Sequence, residues 1–306
     1  MRRRDFFALL GGAATWPAMA RAQQSERMRR VGVLMAYVES DTQAQDWTKA
    51  FDASLQELGW NNGRNVQLDY RWGGPNPDRL RAGAEELVRL GPDVLLVVAT
   101  PALVATQHAT RSIPIVFANV ADPVGQGLIA SFARPGGNTI GIGAFDFSMA
   151  GKWVQAIKEI APSVARIGVI FNPETGPYYA SFLPFVETAS GPLGVKSFSI
   201  AIHDSDHITQ TLEKLAEEAN TGVIVLPSVL FSTHRGAIIT TVARLRLPTV
   251  YPFSFFAQSG GLLSYGFDVR EMLKRAGGVT LIAFSAARRC QICRLNSPRS
   301  LNSLSI

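Results

Sequence analysis

The sequence predicts an α/β protein: two similar doubly wound parallel-sheet lobes with a ligand cleft between them. Three observations predict it. Short apolar runs without alternation recur between turn signals and read as strands buried on both faces. Longer segments with apolar residues at helical spacing separate them, the alternation that builds a parallel sheet. The order then repeats: Ile167-Gly168-Val169-Ile170-Phe171 echoes Val31-Gly32-Val33-Leu34-Met35, residues 223–226 echo 94–98, and Leu247-Pro248-Thr249-Val250-Tyr251 echoes Ser112-Ile113-Pro114-Ile115-Val116.

The first strand is predicted at residues 31–35. A helix follows at about 43–58, with Trp47, Phe51, Leu55 and Leu58 on one face and Gly59 as its stop. Residues 66–72 alternate, as a strand near an edge does. A second helix covers 78–90, with Leu80, Ala84, Leu87 and Val88 inward, and ends at Gly91-Pro92. A buried strand at 94–99 leads to a helix at 101–110 with Pro101 in its first turn. A strand at 113–119, an Asp122-Pro123 turn, a short helix near 127–132 and a strand at 139–145 complete this half. The second half reads helix 149–160, strand 167–171, helix 178–189, strand 196–202, helix 208–219, strand 223–226, helix 233–244 and strand 247–251. Lobe I is expected to hold residues 28–145 plus about 253–278, and lobe II residues 146–252. Right-handed crossovers cover both sheet faces. Ligands of open α/β sheets sit beyond the carboxyl ends of the strands, here the cleft between the lobes. That geometry also allows hinge closure.

The two ends differ from this body. Arg2, Arg3 and Arg4 precede Asp5-Phe6-Phe7, a short apolar run and Ala20-Arg21-Ala22. That is a basic segment, an apolar segment too short to span a bilayer, and a small-residue cleavage site. Arg3-Arg4 followed by x-Phe-Phe reads as a twin-arginine export signal over residues 1–22, and an Arg-rich ordinary secretory signal is the alternative. Either predicts an exported, periplasmic chain cleaved near Ala22. The formal charge of the whole chain is +6. The leader accounts for +3 and residues 279–306, with Arg288, Arg289, Arg294 and Arg299, for +4, leaving −1 for residues 23–278. The body therefore lacks the basic footprint of a nucleic-acid binder. With no second long apolar run, it is not expected to span a membrane. Both cysteines, Cys290 and Cys293, lie in the terminal stretch, so no disulfide is expected in the body.

Catalytic and cofactor motifs are sparse. The first strand leads into Ala36-Tyr37-Val38-Glu39-Ser40, without the glycines of a dinucleotide site. Gly141-x-Gly143 falls inside a strand and reads as a bend or close backbone contact. There is no phosphate-binding Gly-rich loop and no G-x-S-x-G elbow. A hydrolase in the cleft stays open, because triads need no fixed spacing. His203-Asp204-Ser205-Asp206-His207 is the one stretch with metal-ligand types; between a strand and a helix, it reads as a cap made by Ser205 or Asp206. No metal or cofactor is expected. The candidate site residues stand at strand ends. Thr100 can cap a helix or, with that helix's N-terminus, hold a carboxylate. Asp122 can pair a ligand ammonium or make an Asp-Pro turn. Phe145, Tyr178, Phe231, Tyr251 and Phe253 can wall an apolar or aromatic pocket, or fill the core.

Several strings resemble a known family: Phe51-x-x-x-Leu55-x-Glu57-Leu58-Gly59-Trp60, Ala99-Thr100-Pro101-Ala102, Asp122-Pro123-Val124, Ala133-Arg134-Pro135-Gly136-Gly137-Asn138-Thr139-Ile140-Gly141 and Gly260-Gly261-Leu262-Leu263-Ser264-Tyr265-Gly266. With the leader and the two lobes, they resemble ABC-transporter substrate-binding proteins of the tryptophan/tyrosine-binding type over roughly residues 28–276. The resemblance implies a periplasmic-binding-protein type I-like fold and no catalysis. It implies delivery of a small solute, an amino acid or related compound, to an ABC permease. It also implies that Thr100, Asp122 and the cleft aromatics hold ligand. A periplasmic enzyme using the same cleft is the alternative. A sugar-repressor-like regulator shares the lobes but needs a DNA-binding domain where the leader stands. After about Ala276 the chain departs from the family. Where members read like Tyr-Val-Asp-Arg-Ile-Leu, this chain has Thr280-Leu281-Ile282-Ala283-Phe284, the string that codons such as TAC GTT GAT CGC ATT CTT give when read one base later. A frameshift near codons 277–279 is therefore expected, with residues 279–306 an aberrant tail lacking structure and the Cys290-x-x-Cys293 spacing accidental.

Overall fold

The computed structural model describes residues 28–145 and 147–295. The leader and residues 296–306 lie outside the described residues. In lobe I, strands β1 (Arg29–Met35), β2 (Val66–Trp72), β3 (Val94–Val98), β4 (Ile115–Ala121) and β5 (Thr139–Phe145) alternate with helices α1 (Thr42–Glu57), α2 (Pro77–Arg89) and α3 (Thr100–Ala109). Lobe II holds α4 (Met149–Ile160), β6 (Arg166–Phe171), α5 (Tyr179–Ser190), β7 (Lys196–Ala201), α6 (Asp206–Ala216), β8 (Thr221–Val225), α7 (Val229–Thr233), α8 (Arg235–Leu245), β9 (Thr249–Phe253), α9 (Ser254–Gln258) and β10 (Leu263–Phe267). The last helix, α10 (Val269–Leu295), returns to lobe I. Each lobe has a five-stranded parallel sheet, in the orders β2-β1-β3-β4-β5 and β10-β9-β8-β6-β7.

The sequence explains the layering. β3 and β4 are apolar at nearly every position and buried throughout, as strands covered by helices on both faces must be. α1 starts where the Asp41 carboxylate accepts from the backbone N–H groups of Gln43 and Ala44, and buries Trp47, Phe51 and Leu55. α2 starts the same way on Asn76, with Pro77 at its first position.

The predicted Gly141-x-Gly143 contact is present. A Cβ on Gly141 would stand 2.1 Å from the Phe117 carbonyl oxygen, and one on Gly143 would stand 2.6 Å from the Phe132 ring. Gly141→Ala is expected to lower unfolding stability by about 2 kcal/mol, because β5 must shift off β4 to relieve the overlap. Urea unfolding measures this, and an unchanged midpoint would contradict the close approach.

Three expectations need correction, and one short helix is added. Residues 127–132 form turns rather than a helix, because the Pro123 carbonyl takes both the Leu128 and Ile129 N–H groups. The helix expected at 233–244 forms as α8, and a separate short helix, α7, precedes it where none was expected. The return to lobe I comes at α10, not near residue 253, since β10 pairs with β9 in the lobe II sheet. Structure also continues past residue 278. α10 runs to Leu295 and packs on α1 and the lobe I sheet through Val269, Met272, Leu273, Ala276, Thr280, Ala283 and Phe284, all buried. These recur every three or four residues, so one face stays apolar well past residue 278. Phe284 reaches Trp60 at 5.1 Å and lies under the Arg29 guanidinium. Among the described residues no helix is long and apolar enough to cross a membrane.

Candidate functional site in the inter-lobe cleft

The carboxyl ends of the two sheets face each other, and both contribute to one small chamber. Lobe I supplies Tyr37 beyond β1, Ala99 and Pro101 at the β3–α3 junction, and Asn119 and Ala121 of β4. Lobe II supplies Tyr178 ahead of α5, Pro227, Ser228 and Val229 beyond β8, and Phe253 at the end of β9. The free volume is about 10 Å³, room for about one water. An outer groove of about 540 Å³ adjoins it at Pro101. Pro77, Leu80, Val104 and Ala105 make its apolar wall, with Arg81, His108 and Glu174 at its edges.

The chamber mixes hydroxyl and amide groups with apolar side chains and carries no charged side chain. Asn119 Nδ2 donates to the Tyr37 hydroxyl at 2.9 Å, and the Tyr178 hydroxyl donates to the Pro227 carbonyl at 3.0 Å. Burial pushes both phenols well above their ordinary range, so each remains a neutral O–H at physiological pH. Asn119 is 6 % exposed, and its Oδ1 has no partner among the described residues. A buried amide oxygen left without a donor costs about 1–3 kcal/mol, which a bound N–H or O–H recovers. The backbone around it is strained: Ala99, Asn119 and Asp122 have φ of 79°, 57° and 28°. These are left-handed values for residues with a Cβ, and such strain collects at binding and catalytic sites. At Asn119 it accompanies a register shift between β4 and β5.

The sequence-predicted site residues separate in space. Tyr178 and Phe253 line the chamber. Thr100 is the first residue of α3 rather than its cap; its Oγ1 accepts from the Ala121 N–H at 3.4 Å, it interacts with the Tyr178 hydroxyl, and it lines the outer groove. Asp122 makes the turn: its Oδ1 accepts from the Gly125 N–H at 2.9 Å, away from the chamber lining. Phe231 is buried in the lobe II core, held by the α7 cap at Ser228. Tyr251 is fully buried, stacks on Phe256 at 4.8 Å and borders a different pocket beside Gly260 and Gly261. Phe145 ends β5, and its side chain lies outside the described residues. In the His203–His207 stretch the cap is Asp204, which accepts from the Asp206 and His207 N–H groups; neither Ser205 nor Asp206 supplies it. Sequence reasoning missed Tyr37 and Asn119. The available signal was an asparagine inside the apolar run Val116-Phe117-Ala118-Asn119-Val120, where a buried amide needs partners.

Solved structures share this architecture. A conserved domain protein from Vibrio cholerae superposes with a TM-score of 0.77 at 25 % identity, covering 85 % of this chain and 86 % of that one. An ABC domain from Streptococcus pneumoniae, solved in complex with L-Trp, gives 0.74 at 21 % identity over 84 % and 85 %. In sequence, a tyrosine-binding protein from Clostridioides difficile is 24 % identical over 237 residues, 76 % of this chain and 66 % of that protein. The chain thus spans just under two thirds of that relative's length. The model of the family described as ABC transporter substrate binding protein matches residues 30–283. The chain belongs to that family.

Proposed function

We propose that this chain binds one small solute, an amino acid or related compound with aromatic ones foremost, between the lobes at this chamber, which at about 10 Å³ admits it only once the lobes part. The lobes close over it and present it to an ABC permease, without chemical change to the solute. The observation that carries this reading is the unmatched Asn119 Oδ1 in a neutral chamber built by both lobes. Neutral hydroxyl and amide groups suit a ligand that brings both charge signs and leaves no net charge behind. The start of α3 adjoins the chamber at Ala99 and Pro101, and its helix dipole favours the solute's carboxylate there. The L-Trp complex of the pneumococcal domain and the tyrosine-binding relative support an aromatic amino acid. The Arg3-Arg4 leader supports export to the periplasm, with cleavage near Ala22.

Thermal unfolding of the exported chain with a panel of amino acids tests the reading. A solute at about a hundred times its Kd adds about 2.7 kcal/mol. At this size that raises the midpoint by roughly 5–10 °C. A cooperative transition that no amino acid moves would remove the proposed ligand class. Recovery of the solute in altered form would instead favour an enzyme.

A further inference from the structure

We propose that Asp41 and Arg235 form a clasp between the lobes that sets how far the cleft stands open. They act on ligand affinity through closure rather than by touching solute. This rests on the reading that the lobes close over a ligand.

Asp41 belongs to lobe I, in the loop between β1 and α1. Arg235 opens α8 in lobe II. Arg235 Nη1 stands 2.8 Å from Asp41 Oδ2 and Nη2 stands 3.0 Å from Oδ1, a two-pronged fork between residues 194 positions apart. Fork geometry on a carboxylate is the strong, directional form of an ion pair. The side chains are 4 % and 15 % exposed. Salt and water therefore screen the pair far less than the exposed Arg244–Glu213 pair within lobe II. Among the ion pairs of the described residues, this one joins the two lobes; the others stay within one. An aromatic contact lies beside it: Trp47 of α1 meets Phe255 of α9 at 5.3 Å, and the Arg235 guanidinium sits 5.7 Å over the same Phe255 ring.

A clasp must also release. A buried ion pair that separates usually strands two charges. Here each charge keeps a partner in its own lobe. The Asp41 carboxylate accepts the first N–H groups of α1, where the helix dipole favours an anion. Arg235 Nη1 donates to the Ser232 carbonyl at 2.9 Å, and the guanidinium keeps Phe255. The two ends are thus held in place whether or not they meet, which suits a contact made and broken at each closure. Neither residue lines the chamber. Losing the clasp therefore lowers the closed population, and every solute that needs closure loses the same factor in affinity.

Small-angle scattering of the full chain without added solute tests this. Asp41→Asn keeps a helix-capping side chain and Arg235→Lys keeps the charge, so both variants retain the local fold. Each is expected to have a larger radius of gyration than wild type, the double variant no larger than the singles, and Arg244→Gln the wild-type value. With L-tryptophan and L-tyrosine as probes, both dissociation constants are expected to rise in the single variants by one common factor of about ten, the size of an ordinary coupling between sites. A radius of gyration unchanged in both single variants overturns the clasp, whatever the probes do. A radius that grows while no chain binds either probe keeps the clasp and removes the amino-acid reading of the cleft.

Discussion

Trp153→Ala is expected to lower the stability of lobe II by about 3–5 kcal/mol, the range for emptying a buried indole site. Trp153 is fully buried on α4, the first helix after the chain enters lobe II. Its ring lies 5.4 Å from that of Phe182 on α5, and its Nε1–H donates to the Tyr265 carbonyl of β10 at 2.7 Å. Truncation leaves a cavity between two helices and releases the carbonyl of an edge strand. Sheet order makes β10 the outermost strand of lobe II, so it has few other ties. The loss is expected to appear first in lobe II. Urea unfolding followed by amide exchange is then expected to show β10 and α4 opening while β3 and β4 of lobe I stay protected. A loss under about 1 kcal/mol would show that the indole site collapses freely, contrary to the packing described here.

Asn119→Gly is expected to weaken solute binding by roughly 10–100-fold with little loss of stability. Glycine accepts a φ of 57° without strain, so the backbone stays where β4 places it. The amide leaves, and with it the donor to Tyr37 and the unmatched Oδ1. Losing one buried hydrogen-bonding group costs about 1–3 kcal/mol, and each 1.4 kcal/mol is tenfold in Kd. Calorimetric titration with L-tryptophan or L-tyrosine measures the change. Wild-type affinity in a folded Asn119→Gly chain would take Asn119 out of the site.

Much of the fold was legible in the sequence because buried parallel strands announce themselves as unbroken apolar runs. Val94–Val98 and the run ending at Ala121 are of this kind, and they lie at the centre of lobe I. The β10 strand was not read as part of lobe II, because Leu263–Phe267 is short, half-exposed and glycine-broken. The α10 helix was hidden for a different reason. Departure from a family pattern says nothing about periodicity, and Ala276, Thr280, Ala283 and Phe284 still share one apolar face. The site was harder to read. Aromatic residues near strand ends were counted as cleft walls, yet Tyr251 and Phe253, two residues apart, share one face of β9, and of the two the one at the carboxyl end lines the chamber. Register and helix position then decided that Phe253 faces the chamber while Phe231 and Tyr251 fill the lobe II interior. Tyr37 and Asn119 come together across 82 positions of sequence, a pairing set by the β1-β3-β4 order and not by any local motif.

The most direct measurement is a calorimetric titration of the wild-type chain with L-tryptophan and L-tyrosine at several temperatures, with the solute recovered afterwards. Saturable binding of one solute per chain, with the negative heat-capacity change of apolar burial and the solute chemically unchanged, is the result predicted for a chamber closed by two lobes. Absence of binding by either amino acid, or binding that Asn119→Gly leaves untouched, would contradict it.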